Sequence, residues 1–359
     1  MRTLIRPVGF VDSPFGHDGK VARLAGGLNW FANAELLRVD GNRRVSTELV
    51  GVEGIESRFD DDMATQWTRL TAARPPLQLG ERTIRLDQPQ VVGIVNATPD
   101  SFSDGGQFAD ANAAAEAGAD MASQGAAIID VGGESTRPGA KPVWEGEEIE
   151  RISPVVRQLT AGGAAVSVDT RKADVMTAAL EAGARMINDV SALTYDDRSA
   201  GVIAAAGVPV VLMHHQGKPE SMQDNPRYDD VLVEVYLWLE DRIAAAETAG
   251  IARDRILIDP GFGFGKNVAH NLELMNGLAL LHSLGCPIVL GASRKRTIGA
   301  LSNEAPADQR IGGSLALALK AAEQGVQLLR VHDVAETVQA LRIWRGLRDQ
   351  ALTPRVAPA

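Results

Sequence analysis

The sequence predicts an α/β fold, a (β/α)8 TIM barrel with an N-terminal extension that contains short strands. Eight apolar runs alternate with helical patterns over roughly 270 residues. Both the length and the alternation of strands and helices are typical of this barrel. The runs are apolar throughout, which indicates parallel strands that are covered on both faces. Each run also ends at a polar residue. An open, doubly wound sheet is the alternative architecture for the same alternation.

The composition indicates a globular protein and narrows its class. The chain has 359 residues, of which 45% are hydrophobic and 23% are charged, with a formal net charge of −10 and a pI near 5.2. An acidic chain is unsuited to non-specific binding of nucleic acid or anionic membranes. The single cysteine, Cys286, leaves no intramolecular disulfide and is typical of a reducing compartment. No stretch has the pattern of a signal peptide or a membrane span, so a cytoplasmic protein is expected.

Residues 1–75 differ from the rest and are predicted to form an extension of unknown function. Residues 4–11 and 45–50 resemble short strands bounded by turn residues. Trp30 and Phe31 are assigned to the core of this small unit. No group of residues with an evident catalytic role occurs within it.

The junction between this extension and the barrel is predicted from turn and helix signals. The acidic run 60–62 indicates the start of a helix, because negative charge is favourable near the N-terminal end of the helix dipole. Pro75 and Pro76 mark a boundary. Residues 77–79 and 83–86 then form a hairpin that leads into a barrel domain spanning 76–359.

The apolar runs and the helical patterns define the predicted barrel units. The runs are residues 91–95, 126–129, 165–168, 186–187, 209–212, 256–258, 287–290 and 326–329. Helical patterns between them include residues 111–123, 172–182, 231–249 and 314–323. The first polar residues after the runs are Asn96, Asp130, Asp169, Asn188, His214, Asp259, Ser293 and Arg330. Because barrel enzymes hold their chemistry at the C-terminal ends of the strands, this ring predicts an active site.

Two long loops follow the first two strands. Residues 96–106 carry carboxylates, hydroxyls, a phenylalanine and a closing glycine pair, which favours a functional loop, although an ordinary connection is the alternative. Residues 130–139 are rich in glycine, which allows a ligand to approach the backbone closely. Within that second loop, Asp130 and Glu134 are either site residues or hydrogen-bonded supports of the loop.

Three polar strand ends are predicted to share one pocket. Asp169, Asn188 and Asp259 can accept hydrogen bonds from the N–H groups of a flat heterocycle, and the amide can donate to its carbonyl. Helix capping is the alternative role for each of them. The glycine-rich segment 259–266 lacks the spacing of a dinucleotide or Walker A motif. One phenylalanine within it can cover an aromatic ligand, and the other is expected in the core.

A basic edge is predicted after the seventh and eighth strands. Residues 293–296 read Ser-Arg-Lys-Arg at the start of a helix, where cations oppose the helix dipole unless an anion is bound. Arg330 and His332 end the last strand. Phosphate commonly binds at this place in barrels, so a phosphate or diphosphate site is favoured over solvated surface charge. His214 and His215 are adjacent in sequence, which argues against a metal ion that they share.

With these residues collected, the sequence resembles the dihydropteroate synthases of the folate pathway from about residue 91 to 332. The matching motifs are residues 96–106, 129–139, 167–170, 188–189, 213, 259–266, 293–295 and 330–333. The resemblance implies a barrel transferase that joins 6-hydroxymethyl-7,8-dihydropterin diphosphate to 4-aminobenzoate and releases diphosphate. It also implies Mg²⁺, inhibition by sulfonamides, and a homodimer formed through the outer helices of the barrel.

The same resemblance implies roles for individual residues. The residues implied to contact the pterin are Asp169, Asn188, Met213, Asp259, Phe264 and Lys295, and Gly291 is implied to contact a substrate. The residues implied to contact diphosphate or the aminobenzoate carboxylate are Thr136, Arg137, Ser293, Arg330 and His332. Asn96 would coordinate Mg²⁺. Thr98 and Asp100 would hold the two loops together, and Phe102 and Pro138 would clamp the aminobenzoate ring.

Two departures from the family pattern concern affinity rather than reaction class. Ala97 occupies a position where a β-branched residue is usual, and His215 replaces a more typical methionine or lysine. A pterin-binding methyltransferase and a catalytically silent pterin-binding homologue are the alternative functions. The first has no need of a basic diphosphate edge, and the second would be expected to lose Asn96, Asp100 or Lys295.

Overall fold

The computed structural model describes residues 1–97, 106–134, 142–217 and 222–353, with the side chains of the first barrel helix described from residue 111. The N-terminal unit contains strands β1 (Arg2–Val11), β2 (Ala22–Arg23), β3 (Trp30–Asp40) and β4 (Arg43–Gly51) and helix α1 (Asp61–Thr71). Strand β3 is central and pairs antiparallel with β1, β2 and β4. The predicted strands near residues 4–11 and 45–50 are confirmed.

Two of the three residue-level predictions for the N-terminal unit are confirmed, and one is wrong. Asp60 is the N-cap of α1, where its Oδ1 accepts a hydrogen bond of 2.8 Å from the Met63 amide, as the acidic run predicts. Phe31 is fully buried, as predicted. The prediction that Trp30 is core is wrong, because consecutive side chains of a strand face opposite sides and Trp30 is only half-buried.

The predicted hairpin forms and closes the N-terminal end of the barrel. Strands β5 (Leu77–Leu79) and β6 (Arg82–Ile84) pair antiparallel. Their apolar side chains pack on the first layer of residues inside the barrel. That layer contains Val92, Ile128, Ala165, Met186, Val211, Leu257, Val289 and Leu328. The interior at this end is therefore packed with side chains.

The barrel strands are β7 (Gln90–Asn96), β8 (Ile128–Gly132), β9 (Val166–Asp169), β10 (Met186–Asp189), β11 (Val210–Met213), β12 (Ile256–Asp259), β13 (Val289–Leu290) and β14 (Leu328–Val331). They form a parallel sheet in the order β12-β11-β10-β9-β8-β7-β14-β13. A parallel bridge between Ile258 and Ile288 joins the two ends, and the Ile258 amide donates to the Pro287 carbonyl at 3.0 Å. The barrel prediction is confirmed, and the open sheet is excluded.

Helices follow the strands and cover the barrel. They are α2 (Gly106–Gln124), α3 (Glu145–Ala161), α4 (Ala173–Glu181), α5 (Ser199–Ala206), α6 (Val231–Thr248), α7 (Val268–Gly277), α8 (Arg296–Leu301), α9 (Ile311–Glu323) and α10 (Val334–Ala351). A 3-10 segment, Leu278–Leu284, extends α7. Among the described residues, no helix is both long enough and apolar enough to cross a membrane.

His282, in this 3-10 segment, makes stability dependent on pH. It is fully buried, and its Nε2 lies 2.9 Å from the Gln324 carbonyl. Burial, together with nearby Arg74, lowers the pKa of His282 to about 3. A histidine whose folded pKa lies below its unfolded value of about 6.5 favours the folded state above pH 6.5, and this contribution is lost as pH falls toward 3.

We therefore expect His282→Gln to lose less stability on acidification than the wild type. Glutamine can still donate to Gln324 and takes up no proton. The free energy of unfolding should fall less steeply below pH 6.5, by up to about 1.4 kcal/mol per pH unit. Urea unfolding at pH 4.5 to 8 measures this difference, with His17→Gln at an exposed turn as the control. Identical slopes in wild type and His282→Gln would contradict the assignment.

Candidate active site

Arg330 joins two carboxylates across the C-terminal rim of the barrel. Its Nε donates to Asp130 Oδ2 at 2.6 Å, and its Nη2 donates to Asp169 Oδ2 at 2.8 Å. Asn188 also donates to Asp130 Oδ2, at 3.1 Å. Four of the predicted strand ends therefore meet in one hydrogen-bonded group, here called the carboxylate floor: Asp130, Asp169, Asn188 and Arg330.

The carboxylate floor keeps an acceptor available. Asp169 Oδ1 is buried and has no hydrogen-bond partner within the described part of the chain. Burial raises the pKa of Asp169, Arg330 opposes that rise, and the negative charge of Asp130 adds to it. A buried acceptor without a partner is costly unless a ligand satisfies it. Asp169 is therefore suited to accept from an N–H group of a bound molecule.

Asp259, at the end of β12, lies beside this floor. Its Oδ1 accepts from the Gly261 amide at 2.7 Å. Burial raises its pKa to about 6, although Lys295 and Arg330 stabilise the charged form. Its neighbour in β11 is Met213, which is buried and paired in register with it. Gly291 is also adjacent, because a Cβ there would lie 4.0 Å from Asp259 Oδ2.

The glycine-rich segment after β12 turns tightly around a buried lysine. Lys266 Nζ lies 2.8 Å from His214 Nδ1 and donates to the carbonyls of Gly261 and Phe264 at 3.0 and 3.1 Å. Burial lowers the pKa of Lys266 to about 7. Gly261 has a positive φ of 68°, and a Cβ there would lie 1.8 Å from the His214 carbonyl oxygen, so only glycine fits.

This segment places one phenylalanine at the site and the other in the core. Phe262 is buried in the main core cluster. Phe264 is only half-buried, and Lys295 Nζ lies 4.0 Å from the centre of its ring, which is a cation–π geometry. Phe262 is therefore the core residue that the sequence predicts, and Phe264 is the one beside Lys295.

Within the predicted basic edge, Arg294 is paired with a carboxylate and His332 is neutral at pH 7. Ser293 Oγ lies 3.1 Å from His332 Nδ1 and accepts from the His332 amide at 3.2 Å. Burial lowers the pKa of His332 to about 4, so its ring is neutral at pH 7 and contributes hydrogen bonding rather than charge. Arg294 pairs with Asp333. Two more cationic groups lie at this edge: Arg330, which is paired with Asp130 and Asp169, and Lys295, which lies over the Phe264 ring.

Glu134 supports the second rim loop, which was one of its two predicted roles. It accepts from the Val143 amide at 2.9 Å and from Lys172 Nζ at 3.2 Å. Lys172 also donates to Glu148 and to the Val143 carbonyl, both at 2.6 Å. Glu134 and Val143 lie on either side of residues 135–142, so this buried ion cluster joins the two flanks of that stretch.

Several predicted residues lie outside the described part of the chain. They are Thr98, Asp100, Phe102, Thr136, Arg137 and Pro138. Asn96 is described and ends β7, where the following amide, that of Ala97, donates to the Gly132 carbonyl at 2.8 Å. Asn96 thus lies next to the end of β8.

Sequence reasoning gave too little weight to Asp130 and Lys266. The sequence does not decide between a site role and a loop-supporting role for Asp130, yet its carboxylate accepts hydrogen bonds from Arg330, Asn188 and Ser167. Its position directly after an apolar run, like that of Asp169, was the available signal. Lys266 closes the glycine-rich segment, and a lone lysine inside such a segment was the corresponding signal.

The chain is similar in sequence and in fold to known proteins. A family model described as pterin binding enzyme matches residues 92–332. Dihydropteroate synthase of Escherichia coli K12 is 47% identical over 262 residues, which are 73% of this chain and 92% of that protein. The structure of Xanthomonas albilineans dihydropteroate synthase with 4-aminobenzoic acid matches with a TM-score of 0.73 and 50% identity, covering 78% of this chain and all of that one.

A further solved structure, Yersinia pestis dihydropteroate synthase in a sulfonamide drug complex, matches with a TM-score of 0.72 and 46% identity over 76% of this chain and 99% of that one. These proteins are matched over almost their full length. Sequence identity and fold therefore agree. The chain belongs to the dihydropteroate synthase family, whose members are transferases of folate biosynthesis.

Proposed function

We propose that this chain joins 6-hydroxymethyl-7,8-dihydropterin diphosphate to 4-aminobenzoate at the described rim, giving 7,8-dihydropteroate and diphosphate. The observation that carries the proposal is the placement of the carboxylate floor directly beside a basic edge. Asp169 and Asp259 offer buried acceptors, and Lys295 and Arg330 offer positive charge next to them. One substrate with an N–H-rich ring and a diphosphate tail fits both halves.

The floor would bind the dihydropterin ring. Asp169 Oδ1 and the carboxylate of Asp259 accept from ring and amino N–H groups, and Asn188 can both donate and accept. Met213, Phe264 and Gly291 then border the flat face of the ring. Placing the ring here gives the buried acceptor of Asp169 the partner that it lacks within the described chain.

The basic edge would stabilise the leaving group. The bond between the exocyclic carbon and the diphosphate oxygen breaks, and its electron pair leaves with diphosphate. Lys295 and Arg330 stabilise that charge, while Ser293 and neutral His332 donate hydrogen bonds. The carbon is left with cationic character that the pterin delocalises and the carboxylate floor favours. The aminobenzoate nitrogen then attacks this carbon and loses a proton to solvent.

Among the described residues, the donors at the rim fit a Mg²⁺ ion that arrives with the substrate. No group of three or more histidine, cysteine or acidic side chains within the described ranges could form a metal site from protein alone. Mg²⁺ commonly keeps several waters and binds substrate phosphates plus one or two protein oxygens. Asn96, at the end of β7, would supply such an amide oxygen. When bound, the ion would neutralise charge on the diphosphate.

The residues outside the described ranges keep their predicted roles. Thr98 and Asp100 hold the rim loops together, Phe102 and Pro138 clamp the aminobenzoate ring, and Thr136 and Arg137 contact the anionic groups. Aminobenzoate and sulfonamides then bind after the pterin substrate.

The division of the chain at residue 75 into an extension and a barrel domain is part of the same proposal, as is a cytoplasmic location.

The activity is tested by incorporation of labelled 4-aminobenzoate into 7,8-dihydropteroate with purified full-length chain. Calorimetry adds the order of binding. We expect aminobenzoate to bind measurably only when dihydropterin diphosphate, or dihydropterin with diphosphate, is present. Turnover that needs no dihydropterin diphosphate would contradict the reaction, and tight binding of aminobenzoate to the free protein would contradict the order.

A homodimer is also proposed, with α10 as part of its interface. Ile343 and Leu347 lie one helical turn apart on this helix and are 66% and 68% exposed. Two large apolar side chains on one helix face are a suitable centre for a two-fold contact. Sedimentation of the wild type should give twice the monomer mass, and Ile343→Glu/Leu347→Glu should give the monomer. A wild type that sediments as a monomer at all concentrations would exclude the dimer.

A further inference from the structure

The N-terminal unit is firmly attached to the side of the barrel, and the family model, which begins at residue 92, gives it no role. Leu4, Leu37 and Val39 pack into the same core cluster as the barrel helices. Arg2 pairs with Asp62 of its own unit and with Glu240 of α6. The unit is therefore fixed against α6 and against the 3-10 segment that extends α7, and its contacts can act on those helices.

One arginine of this unit reaches both helices near their beginnings. Arg44, on β4, donates from Nε to Asp230 Oδ2 at 2.9 Å and from Nη2 to Glu273 Oε1 at 3.4 Å. Asp230 is the N-cap of α6, where its Oδ1 accepts from the Val233 amide at 3.1 Å. Glu273 lies in the second turn of α7. The pair with Asp230 is largely buried, because the Asp230 side chain is only 8% exposed.

Both helices begin at the rim, on either side of the glycine-rich segment that borders the site. Just before α6, Tyr228 donates from its hydroxyl to the Gly265 carbonyl at 2.9 Å. Within α7, Asn271 Oδ1 accepts from the Gly263 amide at 2.8 Å. The segment held from these two sides carries Phe264, and a Cβ at Gly263 would lie 3.3 Å from Lys295 Cδ. A shift of either helix would therefore move the surface against which Lys295 packs.

We propose that Arg44 is a positioning residue for the dihydropterin half of the active site. By bridging the N-cap of α6 and the second turn of α7, it fixes the spacing of the two helices that hold the glycine-rich segment. Phe264 and Lys295 are thereby kept at the geometry that the ring requires. This inference rests on the proposed function, and it gives the N-terminal unit a part in substrate binding.

Simple attachment of the unit is already provided elsewhere along the same interface. The Arg2–Glu240 pair joins the unit to α6 ten residues after the N-cap, which is about 15 Å along the helix axis. Glu240 is remote from the glycine-rich segment, whereas Asp230 is two residues from Tyr228. The two arginines thus anchor the same unit to the same helix, and only Arg44 does so at the rim.

This pair of arginines gives a matched test in the full-length protein. Arg44→Gln should raise the KM for dihydropterin diphosphate, and lower its calorimetric affinity, by roughly 3- to 10-fold, which is the scale of coupling through packed contacts. The KM for aminobenzoate should change less than twofold. Arg44→Lys, which keeps the charge, should restore part of the affinity. Arg2→Gln should lower the unfolding temperature and leave the pterin KM as in the wild type.

Arg58→Gln is the second control, because its ion pair with Glu48 of β4 lies within the N-terminal unit. An unchanged pterin affinity in Arg44→Gln would overturn the inference. So would equal losses of affinity in Arg44→Gln and Arg2→Gln, since those would follow from stability alone. A wild type that binds dihydropterin diphosphate without making dihydropteroate would instead contradict the proposed function, and the calorimetric comparison would still test Arg44.

Discussion

Arg330→Met is expected to be the most destabilising single substitution at the rim. It would leave Asp130 and Asp169 buried without the guanidinium that joins them, and breaking a buried ion pair from one side costs about 3–5 kcal/mol. Arg330→Lys should recover little of this loss, because an ammonium cannot reproduce two hydrogen bonds from one planar group. Urea unfolding at pH 8 measures the effect.

The pH dependence of this loss has a definite sign. Arg330 lowers the pKa of Asp169, which burial raises, so its removal raises that pKa further. A carboxyl whose folded pKa lies above its unfolded value of about 3.9 opposes folding at high pH, and the cost disappears as pH falls through the folded pKa. The deficit of Arg330→Met relative to wild type should therefore shrink from pH 8 to pH 5.

Arg294→Met is the matched control for Arg330→Met. Arg294 also pairs with a rim carboxylate, that of Asp333, but its side chain is 36% exposed. The carboxylate that remains, that of Asp333, is 13% exposed, compared with 1% for Asp130 and 6% for Asp169, and it is one carboxylate rather than two, so the loss should be smaller than in Arg330→Met. Equal losses in the two variants would show that the burial of the Arg330 group has no particular energetic importance.

Asp259→Asn is expected to give the largest loss of pterin binding with the fold preserved. The amide oxygen can still accept from Gly261, so the backbone turn is kept while the charge is removed. Losing one charge-assisted hydrogen bond to the ring costs about 1.5–3 kcal/mol, or roughly 10- to 100-fold in affinity. Because burial raises the pKa of Asp259 to about 6, its charge opposes folding at pH 8, and the variant should unfold no more easily than wild type.

Calorimetry with dihydropterin diphosphate, together with thermal unfolding, measures both quantities for Asp259→Asn. Asp254→Asn, on the exposed segment just before β12, is the control for a carboxylate-to-amide change. Asp169→Asn should behave like Asp259→Asn in binding. Near-native affinity in both site variants would rule out the carboxylate floor together with Asp259 as the pterin pocket.

The ring of polar strand ends was predictable because each end is a local signal. An apolar run that stops at a polar residue indicates the rim, whichever strands are neighbours. The residues at which the strands end were less predictable. Strands β8 and β14 continue two or three residues beyond their predicted ends, so Asp130 and Arg330 lie within strands, because backbone pairing continues after the apolar run has ended.

Contacts between distant residues could not be predicted from local patterns. The Arg330–Asp130 pair spans 200 residues of sequence, and the Arg44–Asp230 pair spans 186. Each depends on closure of the barrel or on docking of the N-terminal unit. Strand β3 was also missed, because Trp30–Asp40 contains polar and charged residues on both faces and lacks a clean alternation.

The hairpin at the N-terminal end of the barrel determines where molecules can enter and leave. Because β5 and β6 fill that end with side chains, the described barrel has one entrance, the rim, and the same entrance must serve as exit. In the proposed reaction, dihydropteroate would occupy both the pterin and the aminobenzoate positions and would block the entrance until it departs. We therefore expect retained product to compete directly with dihydropterin diphosphate, and product departure to set when the next cycle can begin.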